Sequence, residues 1–208
     1  ANYLTSTASG NPASQLTLDP PNSFASDIVR ASGFTEPSNI AHINYQAADI
    51  TDANSLELAR FTIRDGGATT DSDALPTILS AVGFNIGNGS RLNRVAIYDG
   101  TTEIAEVAGA GSVSFTGLSG LSAPDGGTKD LTIRGTFKTT VTDNTRMTIT
   151  ITNATASSGN SEFAAVDAGG AASSTTGDAN SFEVTATKLA FSTVPSTVTI
   201  AQNFTAVV

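Results

Sequence analysis

The sequence predicts an all-β protein, an antiparallel β-sandwich of jelly-roll or immunoglobulin-like type with about ten to twelve strands. Asp-Gly pairs separate short segments in which apolar and polar residues alternate; the pairs are Asp65-Gly66, Asp99-Gly100 and Asp125-Gly126. Gly and Asp tolerate the positive φ angles of tight turns, so these pairs are typical of β-hairpins. Alternation with a period of two is typical of strands that bury one face. Together the two patterns favour two antiparallel sheets with a shared core.

The alternation continues through most of the middle of the chain. The apolar positions that share a face are Val82, Phe84 and Ile86; Val113 and Phe115; Leu131, Ile133, Gly135 and Phe137; and Met147, Ile149 and Ile151. The residues between them are mainly Thr, with Gly, Ser, Asn and Arg. We expect the apolar set to form the core and the opposite face of each sheet to meet water.

One predicted strand breaks this period. Leu56 and Leu58 share a parity, whereas Phe61 and Ile63 have the opposite parity. Because a slip of one residue would turn apolar side chains to the wrong face, the pattern predicts a β-bulge near Ala59-Arg60, or a change of sheet there.

Helical patterns are scarce. The segment 71–79 could form a short helical turn, although Pro76 limits it. The segment 154–180 is rich in Ala, Ser, Gly and Thr, which predicts a loop with one short strand at Phe163–Val166.

Two segments predict module boundaries. Pro20-Pro21 fixes φ and removes two backbone donors, which is typical of an extended linker. At the other end, 188–195 and 198–208 have the pattern of first strands that lack a partner sheet. We expect 1–22 to hold the tail strands of a preceding module and the linker, 23–186 to form the sandwich, and 187–208 to begin a following immunoglobulin-like module.

The composition argues against several function classes. The 208 residues include no Cys, and 19 Asp and Glu against 10 Lys and Arg give a net charge of −9. Without Cys there is no disulfide, thiol nucleophile or Cys-based metal site. The acidic balance argues against a nucleic-acid partner. No apolar run reaches the ~18–20 residues of a spanning helix, so we expect no direct membrane insertion.

Asp65, Asp71 and Asp73 are the candidate metal ligands, and Ca²⁺ is the metal they suit. They lie close together around a Gly-Gly turn, and Ca²⁺ prefers hard oxygen ligands on flexible loops. Turn chemistry is the competing explanation, because Asp commonly fills and caps turns, and the spacing matches no EF-hand loop. For a second pair, Asp125 and Asp130, turn chemistry is the favoured explanation. No other cofactor is expected.

Catalytic chemistry finds little support. His42 is the only His, and the chain has no Gly-x-Ser-x-Gly sequence that would supply an activated serine. A lone His without Cys also argues against a zinc site. We expect His42 to be partly buried and hydrogen-bonded, and we assign no catalytic residue and no enzymatic activity.

A string of motifs resembles modules of very large cell-surface proteins. The motifs are the run 58–67, then 71–77, 94–100, 112–118, 123–127 and 132–134. Together they are similar to modules of the giant repeat-containing surface adhesins of Bacteroidetes, of the gliding-adhesin kind, which are exported by type IX secretion. In those proteins such modules look to alternate with immunoglobulin-like repeats, whose opening strand resembles 189–195. The resemblance implies an extracellular place on a bacterial cell surface and transfers no binding residue.

These observations predict a structural or adhesive link in a long extracellular fibre or stalk. Its expected partners are the adjacent modules of the same polypeptide, and surface glycans or other cell-surface proteins. One alternative is a β-sandwich that binds Ca²⁺ or a glycan in the loops at one end. A second is a pilus-like subunit whose terminal strand, Thr197–Val208, completes a neighbour's sheet.

Overall fold

The structure is a computed structural model, and it describes residues 25–69, 71, 73–164 and 182–184, with the backbone of 4–6 and 16–18. Its strands are β1 (Leu4–Ser6), β2 (Leu16–Leu18), β3 (Asp27–Arg30), β4 (Leu56–Arg64), β5 (Thr77–Ile86), β6 (Leu92–Asp99), β7 (Thr102–Ala108), β8 (Ser112–Thr116), β9 (Ser122–Ala123), β10 (Thr128–Phe137) and β11 (Ile149–Ala156). Short 3₁₀ segments occupy His42–Tyr45 and Gly89–Arg91. Within this part of the chain no helix is long and apolar enough to cross a membrane.

Two antiparallel sheets form the sandwich. The first has the order β3-β4-β10-β6-β7, and the second has the order β11-β5-β8, with the short β9 paired to the start of β5. β1 pairs with β2 in a separate two-stranded sheet. Every pairing between these strands is antiparallel. The predicted all-β sandwich is therefore confirmed.

The core lies between the two sheets and contains the apolar positions that the alternation selected. Phe61 of the first sheet meets Phe84 of the second with ring centroids 5.8 Å apart, and Phe84 meets Phe115 edge-on at 6.1 Å. The predicted sets on β5, β8, β10 and β11 are all buried there, and Met147, just before β11, is buried with them.

The predicted bulge is confirmed at Leu58–Ala59. Ile133 of β10 pairs with Ala59, but the next residue, Arg134, pairs with Glu57, so Leu58 is the extra residue. The bulge lets Leu58 and Ala59 both be fully buried. It also accounts for a glycine on the apolar face of β10, because a Cβ at Gly135 would lie 2.8 Å from Cδ1 of Leu58.

The prediction that the outer face of each sheet meets water is wrong for part of the first sheet. Ala96 and Tyr98 of β6 point away from the main core but are buried in a small cluster with Ile50. Ile50 belongs to the loop before β4, which Arg134 fastens to the sheet by donating to the carbonyl oxygen of Ser55 at 2.7 Å. A long loop therefore covers this face, which period-two alternation does not reveal.

Two local predictions have different outcomes. The short helical turn suggested for 71–79 is wrong, because β5 already begins at Thr77. Phe163 does form a β-bridge, a parallel one to Ser26, as the short predicted strand suggested; residues 165 and 166 of that strand lie outside the described residues. So do Pro20-Pro21 and 187–208, and the module boundaries stay predictions.

The chain enters the described sandwich at one end of its strands, and the last described residues, 182–184, lie at the other end. β3 begins at Asp27, which pairs with Arg64 at the end where β10 begins with Thr128. Phe182 instead lies at the end where β10 finishes, with its ring centroid 5.2 Å from that of Phe137. β10 has ten residues, so the two places are separated by about 30 Å along the strands.

Candidate metal centre

Four aspartates meet at the end of the sandwich where β3 begins. Asp65 follows β4, Asp71 and Asp73 lie on the loop between β4 and β5, and Asp125 lies on the turn between β9 and β10. One carboxylate oxygen of each lies within 4.8 Å of those of the other three. The structure therefore brings together all three predicted ligand candidates, Asp65, Asp71 and Asp73, and adds Asp125. We call these four residues the aspartate cluster.

Two Asp-Gly-Gly turns lie side by side and fix two members of the aspartate cluster. The backbone N–H of Asp65 donates to the carbonyl oxygen of Gly127 at 3.0 Å, and the N–H of Gly126 donates to Oδ2 of Asp65 at 2.8 Å. Gly67 has a φ of +70°, and a Cβ there would lie 2.4 Å from the carbonyl oxygen of Ala25. Glycine is therefore needed for the turn and for the close passage of the chain that leads into β3.

A buried chain of hydroxyl groups holds Asp65 in place. Thr77 Oγ1 donates to Oδ1 of Asp65, and the hydroxyl oxygens of Ser26 and Thr77 are 2.7 Å apart. Because the single proton of Thr77 goes to the carboxylate, Ser26 must be the donor to Thr77. Ser26 in turn accepts the N–H of Gly66 at 3.2 Å. This chain connects the first turn of the site with β3 and with the start of β5.

Asp73 is also held in place by hydrogen bonds. Asp73 accepts the N–H of Leu75 at 2.8 Å in an Asx turn, and it accepts the hydroxyl of Ser161 at 2.8 Å. Ser161 is fully buried and belongs to the segment that follows β11. Both carboxylate oxygens of Asp71 are shielded from solvent, whereas Asp125 is exposed. The cluster thus has a buried floor and an open side.

The dimensions of the aspartate cluster suit a calcium ion. Ca²⁺ binds oxygen at about 2.3–2.6 Å, so two ligands on opposite sides of one ion are about 5 Å apart. The 4.8 Å limit that encloses the four oxygens falls within that span. Four carboxylates at this distance repel one another, and a divalent cation with oxygen ligands would replace the repulsion by attraction. Loop carboxylates from three segments could supply four of the six to eight ligands that Ca²⁺ takes.

Comparisons with known proteins add no family: no protein-family model matches the chain, and no curated protein matches it.

Two other acidic residues at this end of the sandwich, Asp99 and Asp130, have partners of their own. Both carboxylate oxygens of Asp99 accept from Nζ of Lys129 at 2.7 Å. Asp130 accepts the hydroxyl of Thr62 at 2.6 Å. Asp130 lies outside the aspartate cluster, which includes Asp125, its partner in the sequence pattern.

His42 lies at the opposite end of the sandwich, in the first 3₁₀ segment. Its ring is partly buried and meets Phe182 edge-on, with ring centroids 6.3 Å apart. The predicted partial burial is confirmed, but Nδ1 has no hydrogen-bond partner among the described residues, so the expected hydrogen bond is not found at that atom.

Asp125 is the member of the site that sequence reasoning missed. The second Asp-Gly-Gly turn suggested an ordinary turn residue, and Asp125 lies 60 positions after Asp65 in the sequence. The available signal was the repetition of Asp-Gly-Gly at the end of β4 and just before β10. Since β4 and β10 are antiparallel neighbours, the end of one and the start of the other lie together.

Proposed function

We propose that this chain supplies a load-bearing link in a long cell-surface fibre or stalk. The observation that carries the proposal is the placement of the two ends of the described sandwich. The chain enters at the aspartate cluster, before β3, and Phe182 to Val184 lie at the far end of β10. Modules with ends placed in this way join head to tail, so that tension passes along the strands.

The first strand is attached in a geometry that resists tension. β3 starts at the end where the chain enters and runs toward the other end, antiparallel to β4. Tension on residue 25 therefore pulls β3 along its own axis and loads all the hydrogen bonds to β4 together. Ser26 is tied a second time, because its N–H donates to the carbonyl oxygen of Glu162 and its own carbonyl oxygen accepts from Ala164 at 2.9 Å.

Single-molecule stretching of the full chain from its two termini tests this role. We expect one dominant rupture. It should lengthen the molecule by the extended length of about 160 residues, roughly 550 Å, minus the length of the folded sandwich. A gradual extension at low force would contradict a load-bearing role.

A second pulling direction provides the control. The chain contains no Cys, so handles can be attached to T101C and S119C, whose residues are exposed in turns between strands. Tension between these two turns should open hairpins one hydrogen bond at a time. We expect a lower rupture force than between the termini, and equal forces would mean that the direction of β3 has no mechanical role.

The aspartate cluster favours a second function, binding of Ca²⁺ where the chain enters the sandwich. A cation bound there would join four chain segments: the end of β4, the β4–β5 loop and the β9–β10 turn directly, and β3 through the Ser26–Thr77–Asp65 chain. Ca²⁺ binding would therefore strengthen the attachment of the strand that carries tension.

Thermal unfolding with Ca²⁺ and with a chelator tests this binding. Extracellular Ca²⁺ modules have dissociation constants of about 0.1–1 mM. With about 10 mM Ca²⁺ the folded state then gains roughly 1.4–2.7 kcal/mol, which raises Tm by about 3–10 °C for a chain of this size. The same Tm in Ca²⁺ and in chelator would remove the proposal, and an equal response to Mg²⁺ would remove the assignment to Ca²⁺.

Three matched variants identify the ligands. D71N and D125N should abolish most of the Ca²⁺-dependent rise in Tm, because each loses a charged ligand. In chelator, D125N should be slightly more stable than the native chain, since Asp125 is exposed and its removal relieves repulsion. D130N changes the same charge on the same surface outside the cluster and should keep the full Ca²⁺ response. A loss of that response in D130N as well would point to general charge screening.

The proposed location is the bacterial cell surface, with adjacent modules of the same polypeptide as the first partners. The acidic, Thr-rich composition supports it by keeping crowded modules apart in solution. Protease treatment of intact source cells should release peptides of this chain, and their retention inside the cells would contradict the location.

A further inference from the structure

Strand β8 forms one edge of the second sheet among the strands that the structure describes. In the described part of the chain β8 pairs with β5 alone, through five residue pairs from Ala81↔Thr116 to Asn85↔Ser112. Ser112, Ser114 and Thr116 are exposed, whereas Val113 and Phe115 are buried in the core. The strand is therefore anchored to β5 on one side, and no other described strand pairs with its second side.

The register shows which backbone groups point outward. The N–H of Ile86 donates to the carbonyl oxygen of Gly111 at 2.8 Å, one position beyond the last of the five pairs. In an antiparallel ladder, residues alternate between those that bond to the neighbour and those that do not. Val113 and Phe115 therefore bond to β5, and the N–H and C=O groups of Ser112, Ser114 and Thr116 point away from it.

The chain segment that contains this edge carries no charged side chain. No Asp, Glu, Lys or Arg occurs from Val107 to Pro124, although the chain as a whole carries a net charge of −9. By contrast β7, the outer strand of the first sheet on this side, carries Glu103 and Glu106, which is a common protection against pairing at sheet edges. Two copies of the chain would therefore meet less electrostatic repulsion at β8 than at β7.

We propose that β8 pairs with β8 of a second copy of this chain and joins two four-stranded sheets into one. In a two-fold antiparallel pairing centred on Ser114, the outward groups of residues 112, 114 and 116 would form six backbone hydrogen bonds. Val113 would lie opposite Phe115 of the other copy on the core face. Ser112 would lie opposite Thr116 on the outer face, a pairing that favours hydrogen bonds between hydroxyl groups.

The contact is a weak one, suited to lateral association of fibres. Five residues on each side bury far less than the roughly 1,200 Å² of a stable interface. We expect a dissociation constant of about 0.1–1 mM for the isolated chain. In parallel fibres with many modules, the same contact would be strengthened by its repetition.

Sedimentation equilibrium of the full chain tests the pairing at concentrations up to about 1 mM. The average mass should rise from the 21.0 kDa of the monomer toward that of a dimer. S114K places two Lys side chains opposite each other and should weaken association at least tenfold. S114P removes one outward N–H without touching the bonds to β5, and it should weaken association as well.

T152K is the matched control, because Thr152 is an exposed residue of β11 at the other side of the same sheet. It adds the same charge and should associate like the native chain. Concentration-dependent NMR shifts confined to 112–116 in the native chain give a second readout if a variant fails to fold. A native chain that stays at 21.0 kDa, or S114K and S114P that associate normally, would overturn the proposal. Association that is lost on deletion of 197–208 instead would mean that the terminal strand is the contact.

Discussion

Replacement of Phe84 by Ala should lower the free energy of unfolding by about 3–5 kcal/mol. Phe84 is fully buried on β5, between Phe61 of the facing sheet and Phe115 of the neighbouring strand. Its ring connects the two layers, and its removal leaves a cavity that rigid strands on both sides cannot fill. Because domains of this kind have total stabilities of about 5–15 kcal/mol, the loss is a large fraction of the whole.

Urea unfolding of matched variants measures this effect. F34A makes the same chemical change at a half-exposed ring that contacts Arg60, whose guanidinium carbon lies 5.5 Å from the ring centroid. It should cost about 1 kcal/mol, the size of a partly exposed cation–π contact. F84L should fall between the two, because Leu keeps much of the volume. Equal losses in F84A and F34A would mean that Phe84 does not connect the layers.

Much of the core could be predicted from the sequence because its physical rule is local. Burial of one face of a strand imposes a period of two, and Leu131, Ile133 and Phe137 display it without reference to any other strand. The bulge at Leu58 follows from the same rule, since a local change of parity needs a local extra residue. The resulting contact of Leu58 with Gly135 joins positions 77 apart, and no local pattern contains it.

The rest depends on which strands become neighbours. Asp65 and Asp125 lie at the same site only because β4 and β10 are adjacent in the first sheet. The alternation of apolar and polar residues within a strand does not show which strand lies next to it. The burial of Ala96 and Tyr98 likewise depends on where the loop that contains Ile50 packs against the sheet. Thr77 is a third case, because its hydroxyl holds Asp65 from the start of a different strand. Sequence patterns within single strands thus predict the two sheets, whereas the order of the strands determines which residues meet at the site.

Stability should fall at high pH through the ionisation of Tyr98. Burial raises the pKa of Tyr98 from its ordinary value of 10.0 to about 12, helped by the negative charge of Glu103 and by the hydrogen bond to it. The guanidinium of Arg134, whose carbon lies 5.6 Å from the ring centroid, opposes the increase. The phenol donates to Oε2 of Glu103 at 3.2 Å, so ionisation would leave a buried phenolate facing a carboxylate.

The sign follows from the raised pKa of Tyr98 in the folded state. The unfolded chain loses the proton near pH 10 and the folded chain only near pH 12. The stabilising effect of the neutral phenol is therefore fully present below pH 10 and is lost as the pH rises toward 12. Two pKa units correspond to about 2.7 kcal/mol.

Urea unfolding at a series of pH values, for the native chain and for Y98F, isolates this effect from the titration of other groups. At neutral pH, Y98F should lose only about 1 kcal/mol, the typical net value of one hydrogen bond. Between pH 10 and 12 the native chain should lose stability more steeply than Y98F, so that the two curves approach and then cross. Absorbance of the folded native chain at high pH should show a late tyrosine ionisation that Y98F lacks. Parallel stability curves for the two chains would mean that Tyr98 ionises in the fold as readily as in water, and that the cover formed by the loop through Ile50 does not exclude solvent from the phenol.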